Sequence, residues 1–275
     1  NYYPAEWMAA FLDKESDSKK EKAIGIAKSL GFKTEPLNIN TSGKVWEISG
    51  DGKTLIQPLT SIKGLGNSAM DQILKHRPFN TIEEFLFHEK VTYSKLNKKA
   101  LDVLCQSGAL KSLQDNRFTG AKHFWSAVAV DRPRKVKNLE ENIKTYAPEG
   151  EFSTEETIQS LTTLTGVFPL SLVVDPDTQK NLLECGIPPI SEYDPALGVI
   201  WFIPRRIIKK RTKNDKLYYV VEVIDSNNVL TTIRCWGVNP SRDHITTNKP
   251  YMAKLDYNEQ WGFSCRSIKH TFREL

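Results

Sequence analysis

The sequence has few cysteines, no long apolar run and no N-terminal leader, and each absence excludes a class of protein. The four cysteines lie at least 30 residues apart, so no pair has the close spacing of a zinc ribbon or a thioredoxin-like redox site. The longest apolar run, Val199 to Ile203, is far shorter than the ~20 residues of a membrane helix. No basic segment followed by an apolar one opens the chain, as it would in a secretory signal. We expect a cytoplasmic protein with no membrane partner and no structural metal.

Basic residues are concentrated in two separate parts of the chain. The whole sequence has 38 basic and 33 acidic residues among 275. Residues 61–138 carry 14 basic and 7 acidic residues, and residues 197–275 carry the same numbers. Residues 139–196, between them, carry 2 basic and 11 acidic residues. This pattern predicts two surfaces that bind a polyanion, joined by a connector that does not, with an ordinary solvated basic surface as the alternative.

A turn with two glycines, followed by a predicted helix, stands out in the first basic block. Residues 61–67 read Ser-Ile-Lys-Gly-Leu-Gly-Asn, and helical apolar spacing begins directly afterwards, with Asn67 or Ser68 as the predicted N-cap. Glycine leaves the backbone bare, and free N–H groups at a helix N-terminus bind a phosphate oxygen. The segment is typical of a helix–hairpin–helix element that holds a DNA backbone without reading bases, with a plain structural turn as the alternative. The predicted contacts are Lys63, Gly64, Leu65, Gly66 and Asn67.

A second glycine turn lies about 45 residues further along the chain. Residues 96–101, Leu-Asn-Lys-Lys-Ala-Leu, begin another predicted helix, which ends at Ser-Gly-Ala-Leu over residues 107–110. Together the two elements resemble a tandem helix–hairpin–helix module over residues 61–115, whose approximate twofold symmetry lets it touch both strands of a duplex. The predicted contacts of the second element are Lys98, Lys99, Ser107, Gly108 and Lys111.

From residue 198 onward the pattern changes to strands. Apolar alternation predicts a long, bent first strand over residues 198–210, followed by strands over 217–224, 229–236, 251–257 and 261–267. This number of strands, with a long first strand, matches an OB-fold barrel, and other small Greek-key barrels share the count. The predicted fold class is α+β and multidomain: a helical tandem helix–hairpin–helix module followed by a C-terminal all-β OB-fold barrel.

The predicted barrel combines aromatic side chains with a dense basic run, as single-strand binding requires. Six of the nine residues from 205 to 213 are cationic, which solvation alone explains poorly. Alternation places about half of the aromatics in the barrel core, so one of Tyr218 and Tyr219 is expected to face inward and the other outward. The predicted single-strand contacts are Arg205, Arg206, Lys209, Lys210, Arg211, Tyr218, Tyr219 and Trp236.

No catalytic site is recognisable in the sequence. Metal-dependent phosphoryl transfer needs carboxylates that converge on Mg²⁺, and the only tight Asp-x-Asp is Asp175-Pro176-Asp177. The proline and the helical pattern after it favour a turn and a helix N-cap. The five histidines are scattered, and no Walker loop is present. We therefore expect no catalytic residue, metal ion or cofactor in this chain; a small enzyme that uses the two aspartates is the weaker alternative.

Short segments spread over residues 3–170 occur in an order that one known family shares. Residues 3–10 read Tyr-Pro-Ala-Glu-Trp-Met-Ala-Ala, residues 62–66 Ile-Lys-Gly-Leu-Gly, and residues 79–85 Phe-Asn-Thr-Ile-Glu-Glu-Phe. The helix start and the Ser-Gly-Ala-Leu turn of the second element follow, and residues 164–170 read Leu-Thr-Gly-Val-Phe-Pro-Leu. In this order the segments resemble those of the bacterial DNA polymerase III alpha subunits, the family C replicative polymerases.

The resemblance implies that the chain is the C-terminal part of such a polymerase. It implies the end of the fingers domain over residues 1–60, the tandem module over 61–115, an acidic connector on the clamp side over 116–196, and the OB-fold domain over 197–275. The palm domain, with its catalytic aspartates and Mg²⁺, is expected upstream. A sliding clamp is an implied partner, but residues 159–164, Gln-Ser-Leu-Thr-Thr-Leu, are a poor match to a clamp-binding motif.

The predicted function is therefore DNA binding within a replicative DNA-directed DNA polymerase. The hairpins are expected to hold duplex product, and the barrel is expected to hold the single-stranded template. The chain stops soon after the barrel, a short form that would suit a phage-encoded polymerase in the host cytoplasm. The alternative is a stand-alone, non-catalytic accessory protein that combines an OB-fold with helix–hairpin–helix elements; the first residue, Asn1 rather than methionine, counts against it.

Overall fold

The computed structural model of the protein describes residues 4–16, 19–92, 94–196, 198–227 and 229–275. The chain divides into two units, Asn1–Phe168 and Pro169–Leu275. This division differs from the four predicted parts, because residues 116–168 do not form a separate connector. Phe118, Phe124 and Leu139 are buried in the same hydrophobic core as the predicted hairpin region. Residues 169–196 belong to the second unit.

The first unit is mainly helical, and local sequence explains where several helices begin and end. The side chain of Asn97 caps α5 by accepting a hydrogen bond from the N–H of Ala100, and Ser153 and Glu156 form a capping box at α8. Gly166 ends α8 in the left-handed conformation. The helices are α1 (Pro4–Lys14), α2 (Lys20–Ser29), α3 (Asn67–His76), α4 (Ile82–Phe87), α5 (Lys98–Gln106), α6 (Ala121–Trp125), α7 (Val136–Tyr146) and α8 (Thr154–Thr165).

A small sheet packs against the first two helices. Its strands are β1 (Lys33–Glu35), β2 (Glu47–Ile48) and β3 (Thr54–Ile56), with β3 in the middle. β2 and β3 form an antiparallel hairpin, while β1 pairs with β3 in parallel. Trp46 and Leu55 are buried against Met8, Leu12 and Ile24.

The main core of the first unit supports the two glycine turns. Ile62, Leu101 and Leu104 are almost fully buried there, together with Phe79 and Phe85. Burying each such side chain stabilises the fold by roughly 1.5–3 kcal/mol. Both turns therefore lie directly on the core of the first unit.

The second unit is a curled sheet of seven strands, preceded by α9 (Pro176–Glu184). The strand order is β10-β7-β4-β5-β6-β9-β8, and β6 pairs with β9 in parallel while the other neighbours are antiparallel. The elements are β4 (Val199–Arg211), β5 (Leu217–Ile224), β6 (Thr231–Cys235), β7 (Tyr251–Lys254), β8 (Asp256–Asn258), β9 (Gly262–Cys265), α10 (Ile268–Thr271) and β10 (Phe272–Glu274).

The connectivity of this sheet is OB-like. The long strand β4 pairs with β7 over residues 199–202 and with β5 over residues 203–211, and a register shift between Pro204 and Arg206 bends it. The single strand predicted over residues 251–257 is split at Leu255 into β7, which pairs with β4, and β8, which pairs with β9. Because these two pieces are adjacent in the chain, the two ends of the sheet approach each other. The predicted α+β fold with a C-terminal OB-like sheet is confirmed.

Candidate nucleic-acid interface

The first glycine turn, residues 62–66, is an exposed hairpin that the buried side chain of Ile62 attaches to the core. Ile62 is 2% exposed, while Lys63, Gly64 and Gly66 are exposed. Gly64 has a φ of +88°, which favours glycine. Gly66 has a φ of −73° and is the N-cap of α3, so the helix begins one residue earlier than predicted and neither Asn67 nor Ser68 is its N-cap. We call residues 62–66 the first hairpin.

The first hairpin presents backbone donors that the described part of the chain does not use. The N–H groups of Gly64, Gly66, Asn67 and Ser68 have no hydrogen-bond acceptor among the described residues. The N–H of Lys63 is different, since it donates to the carbonyl oxygen of Leu164 at 2.9 Å. Lys63 can therefore contribute only its exposed ammonium group to a ligand. Three of these donors lie at the N-terminus of α3 and the fourth, that of Gly64, lies in the turn before it, an arrangement suited to an anion.

Tertiary packing brings the start of α5 to the first hairpin. A Cβ atom on Gly64 would lie 3.5 Å from Cγ1 of Val103 and 3.6 Å from Cε of Lys99. Lys98 and Lys99 occupy the first turn of α5 and are exposed. The sequence grouped both lysines with the second glycine turn, whereas the structure places Lys99 beside the first.

The second glycine turn offers a poorer anion site than predicted. Ser107 is only 4% exposed, and its hydroxyl donates to the carbonyl oxygen of Leu104, so it is not available as the predicted DNA contact. The N–H groups of Gly108 and Lys111 are also used, by Cys105 and Gly108 respectively. The turn leads into a single 3-10 turn over Lys111–Leu113 instead of an α-helix. Of the predicted contacts here, Lys111 is exposed and Gly108 is half-buried.

Three residues form a row across neighbouring strands on the outward face of the barrel. Lys210 lies opposite Tyr218 in the β4–β5 register. Tyr219 lies opposite Cys235, so Trp236, the next residue after Cys235, follows opposite Tyr218. The rings of Tyr218 and Trp236 stack with centroids 4.7 Å apart and an interplanar angle of 25°. We call Lys210, Tyr218 and Trp236 the aromatic row.

Strand alternation separates the two adjacent tyrosines as predicted. Tyr219 is 6% exposed in the barrel core, while Tyr218 is half-buried in the aromatic row. Trp236 is 38% exposed. The outward face therefore offers a partly exposed aromatic surface supported by a stacked neighbour.

The basic run of β4 does not form one continuous groove. Arg205 lies in the bend and donates to the side chain of Asn248, and Arg211 is ion-paired with Asp215 at 2.9 Å. Arg206 lies opposite Glu222 in the register, and Lys209 lies over the ring of Tyr219 at 6.0 Å. Because successive side chains of a strand point to opposite faces, the run is divided between them. Arg234, which sequence analysis missed, lies opposite Val220 in the same outward register as Trp236; alternation along β6 would have found it.

Other groups with chemical potential have structural roles. Asp175 caps α9 by accepting hydrogen bonds from the backbone N–H and the hydroxyl of Thr178, which confirms its prediction as an N-cap. The hydrogen bond with Cys265, together with burial, raises the pKa of the Cys235 thiol, so this thiol is protonated at neutral pH. Residues 159–164 lie within α8 and are not extended.

Within the ranges given above, no cluster of three or more His, Cys, Asp or Glu side chains could hold a metal ion. No helix in the same ranges has the length and apolar character needed to cross a bilayer.

Comparison with known proteins agrees with this geometry. Residues 31–120, which include the first hairpin and α5, match the family described as the helix–hairpin–helix motif. The DNA polymerase III subunit alpha of Aquifex aeolicus aligns with 100% of this chain at 25% identity over 288 residues. That of Xylella fastidiosa strain Temecula1 is 33% identical over 147 residues, which is 51% of this chain. This chain is similar to part of the DNA polymerase III alpha subunits.

The similarity to the Aquifex DNA polymerase III alpha subunit extends over the barrel as well as the hairpins, since that alignment covers both units. The corresponding subunit of Pseudomonas aeruginosa is 28% identical over 149 residues. The chain spans only 11–23% of the length of these polymerase subunits.

Proposed function

We propose that this chain is the C-terminal, DNA-binding part of a polymerase of the DNA polymerase III alpha kind. In this proposal the first hairpin holds the backbone of duplex product, and the outward face of the barrel holds the single-stranded template. The observation that carries the proposal is the set of four unused N–H groups beside the exposed Lys63 and Lys99. The similarity to polymerase subunits favours this role over a stand-alone accessory protein. Nucleotide incorporation, with Mg²⁺, would belong to the rest of the polymerase.

The first hairpin is suited to a phosphate for two physical reasons. Its free N–H groups lie at the N-terminus of α3, where the helix dipole carries a partial positive charge. The two lysines add mobile point charges that attract the backbone and do not read bases. We therefore expect duplex binding that depends strongly on salt and little on sequence.

The barrel is suited to a single strand because the aromatic row combines a stacking surface with a cation. Unpaired bases stack on exposed aromatic rings whatever their identity, while a nearby lysine attracts the backbone. A duplex conceals its base faces and cannot use the ring of Trp236 in this way. The two units therefore offer chemically different DNA sites.

Replacing Gly66 with aspartate tests the first hairpin. A Cβ at Gly66 would meet no atom within 4 Å, and aspartate is a favoured N-cap residue, so the free energy of unfolding should stay constant or rise by up to about 1 kcal/mol. The new carboxylate would lie where the phosphate binds. We expect duplex affinity to fall roughly fivefold. The negative slope of log affinity against log salt should become shallower by about 0.9. Fluorescence anisotropy with a labelled 20-base-pair duplex at several salt concentrations measures both.

Gly50→Asp is the matched control. Gly50 is exposed, has open space at its Cβ position and receives the same change of charge in the same unit. It should leave the duplex affinity and the salt slope close to those of the unsubstituted protein. Equal losses in the two variants would mean that net charge, and not the hairpin site, accounts for the effect. No loss in the Gly66→Asp variant would make the hairpin a structural turn.

A further inference from the structure

A cavity of about 580 Å³ lies between the two ends of the barrel sheet. It is lined by residues of β7 and β10 on one side, by β9 and the turn after it on the other, and by α10. Three of the lining side chains are exposed cations: Lys254, Arg266 and Arg273. We call this the seam cavity, because it lies where the curled sheet comes closest to closing.

The charges in the seam cavity are not balanced from within the described part of the chain. None of its three cations forms an ion pair with a described carboxylate, whereas Lys249 and Arg211 of the same unit pair with Glu274 and Asp215. The other titratable groups in the lining are Cys265, Asp256 and His270. One carboxylate against three cations leaves an excess of positive charge, which favours an anion in the cavity.

Arg266 connects the seam cavity to the aromatic row. It follows Cys265, whose carbonyl oxygen accepts a hydrogen bond from the N–H of Trp236 at 2.8 Å. A Cβ on Gly237 would lie 3.6 Å from the carbonyl oxygen of Arg266. Since neighbouring strands are ~4.8 Å apart, Trp236 and the rim of the cavity are separated by about one strand spacing.

We propose that the seam cavity is a second phosphate-binding subsite for single-stranded DNA. A strand with a base stacked on Trp236 passes Arg266, and Lys254 and Arg273 neutralise phosphates further along it. This inference rests on the proposed single-strand role of the barrel. It adds the direction in which the bound strand runs, from β6 across β9 towards β7. It also assigns Asp256 an opposing role, because its carboxylate repels the same phosphates.

The test compares a short and a long oligonucleotide on the full chain. A dT4 probe is expected to occupy the aromatic row alone, while a dT12 probe also reaches the seam cavity. In the double variant Lys254→Gln and Arg273→Gln, we expect dT12 affinity to fall roughly fivefold. Its negative slope of log affinity against log salt should become shallower by about 1.4, the value for two single-strand phosphate contacts. The affinity for dT4 should stay constant. Asp256→Asn should act in the opposite direction and strengthen dT12 binding about twofold.

A charge-matched control is the double variant Arg242→Gln and Lys269→Gln. Both residues are exposed cations of the second unit outside the cavity lining. If this control weakens dT12 binding as much as the cavity variant does, or if the cavity variant weakens dT4 and dT12 equally, the inference is overturned. An unchanged dT12 affinity in the cavity variant also overturns it and leaves the cavity to another ligand, such as an acidic peptide. If dT12 binding is insensitive to Trp236→Ala as well, the proposed single-strand role fails too.

Discussion

Trp236→Ala is expected to weaken binding of a thymidine oligonucleotide by about 1–3 kcal/mol, which is roughly fivefold to 150-fold. The ring of Trp236 stacks on Tyr218 and is 38% exposed, so its exposed part can accept a base. Because stacking involves no counterion release, the affinity should fall by a similar factor at every salt concentration. Titration of the full chain with dT12 at two salt concentrations measures this.

Three further variants make the stacking prediction specific. Trp236→Phe keeps an aromatic face and should restore most of the affinity. Trp7→Ala removes a tryptophan that is 63% exposed in the other unit and should have no effect. Lys210→Gln should make the negative slope of log affinity against log salt shallower by about 0.7, whereas Trp236→Ala should leave this slope unchanged. If Trp236→Ala binds dT12 as tightly as the unsubstituted protein, the aromatic row does not bind single strands.

Gly120→Ala is expected to destabilise the first unit by about 3 kcal/mol or more. A Cβ at Gly120 would lie 2.5 Å from both the carbonyl carbon and the carbonyl oxygen of Gly150, so the backbone itself would have to move. That carbonyl oxygen accepts the N–H of His123 at 2.9 Å, and Ala121 donates to the carboxylate of Glu151 nearby. The φ of Gly120 is 174°, so the cost comes from lack of space and not from its conformation. Chemical denaturation followed by circular dichroism measures the change.

Gly43→Ala is the control for this prediction. A Cβ at Gly43 would also overlap a neighbour, but that neighbour is the carboxylate of Glu47, the flexible end of an exposed side chain. Glu47 can rotate away, so we expect a loss of less than about 0.5 kcal/mol. Similar stabilities for the two variants would show that residues 120 and 150 can separate at little cost.

The aromatic row shows which side-chain orientations can be predicted from strand alternation alone. Strand alternation predicts that Tyr218 and Tyr219 face opposite sides, and the burial of Tyr219 confirms it. The same alternation cannot be applied to the whole basic run of β4, because the register shift between Pro204 and Arg206 resets which side chains face outward. A bend of this kind depends on β4 pairing with two different strands, which local sequence does not reveal.

The sequence by itself indicated the resemblance to DNA polymerase III alpha subunits, the helical first part with its glycine turn, and the strand-rich second part. Collinear short segments identified the polymerase resemblance, and glycine spacing identified the first hairpin. Only the tertiary structure decided which groups remain available to a ligand. Ser107 is buried, and the N–H of Lys63 donates to the carbonyl oxygen of Leu164. Lys99 lies beside Gly64, and Arg266 lies next to Trp236 and lines the seam cavity. Propensity and periodicity act over a few residues, whereas availability depends on contacts between residues far apart in the chain.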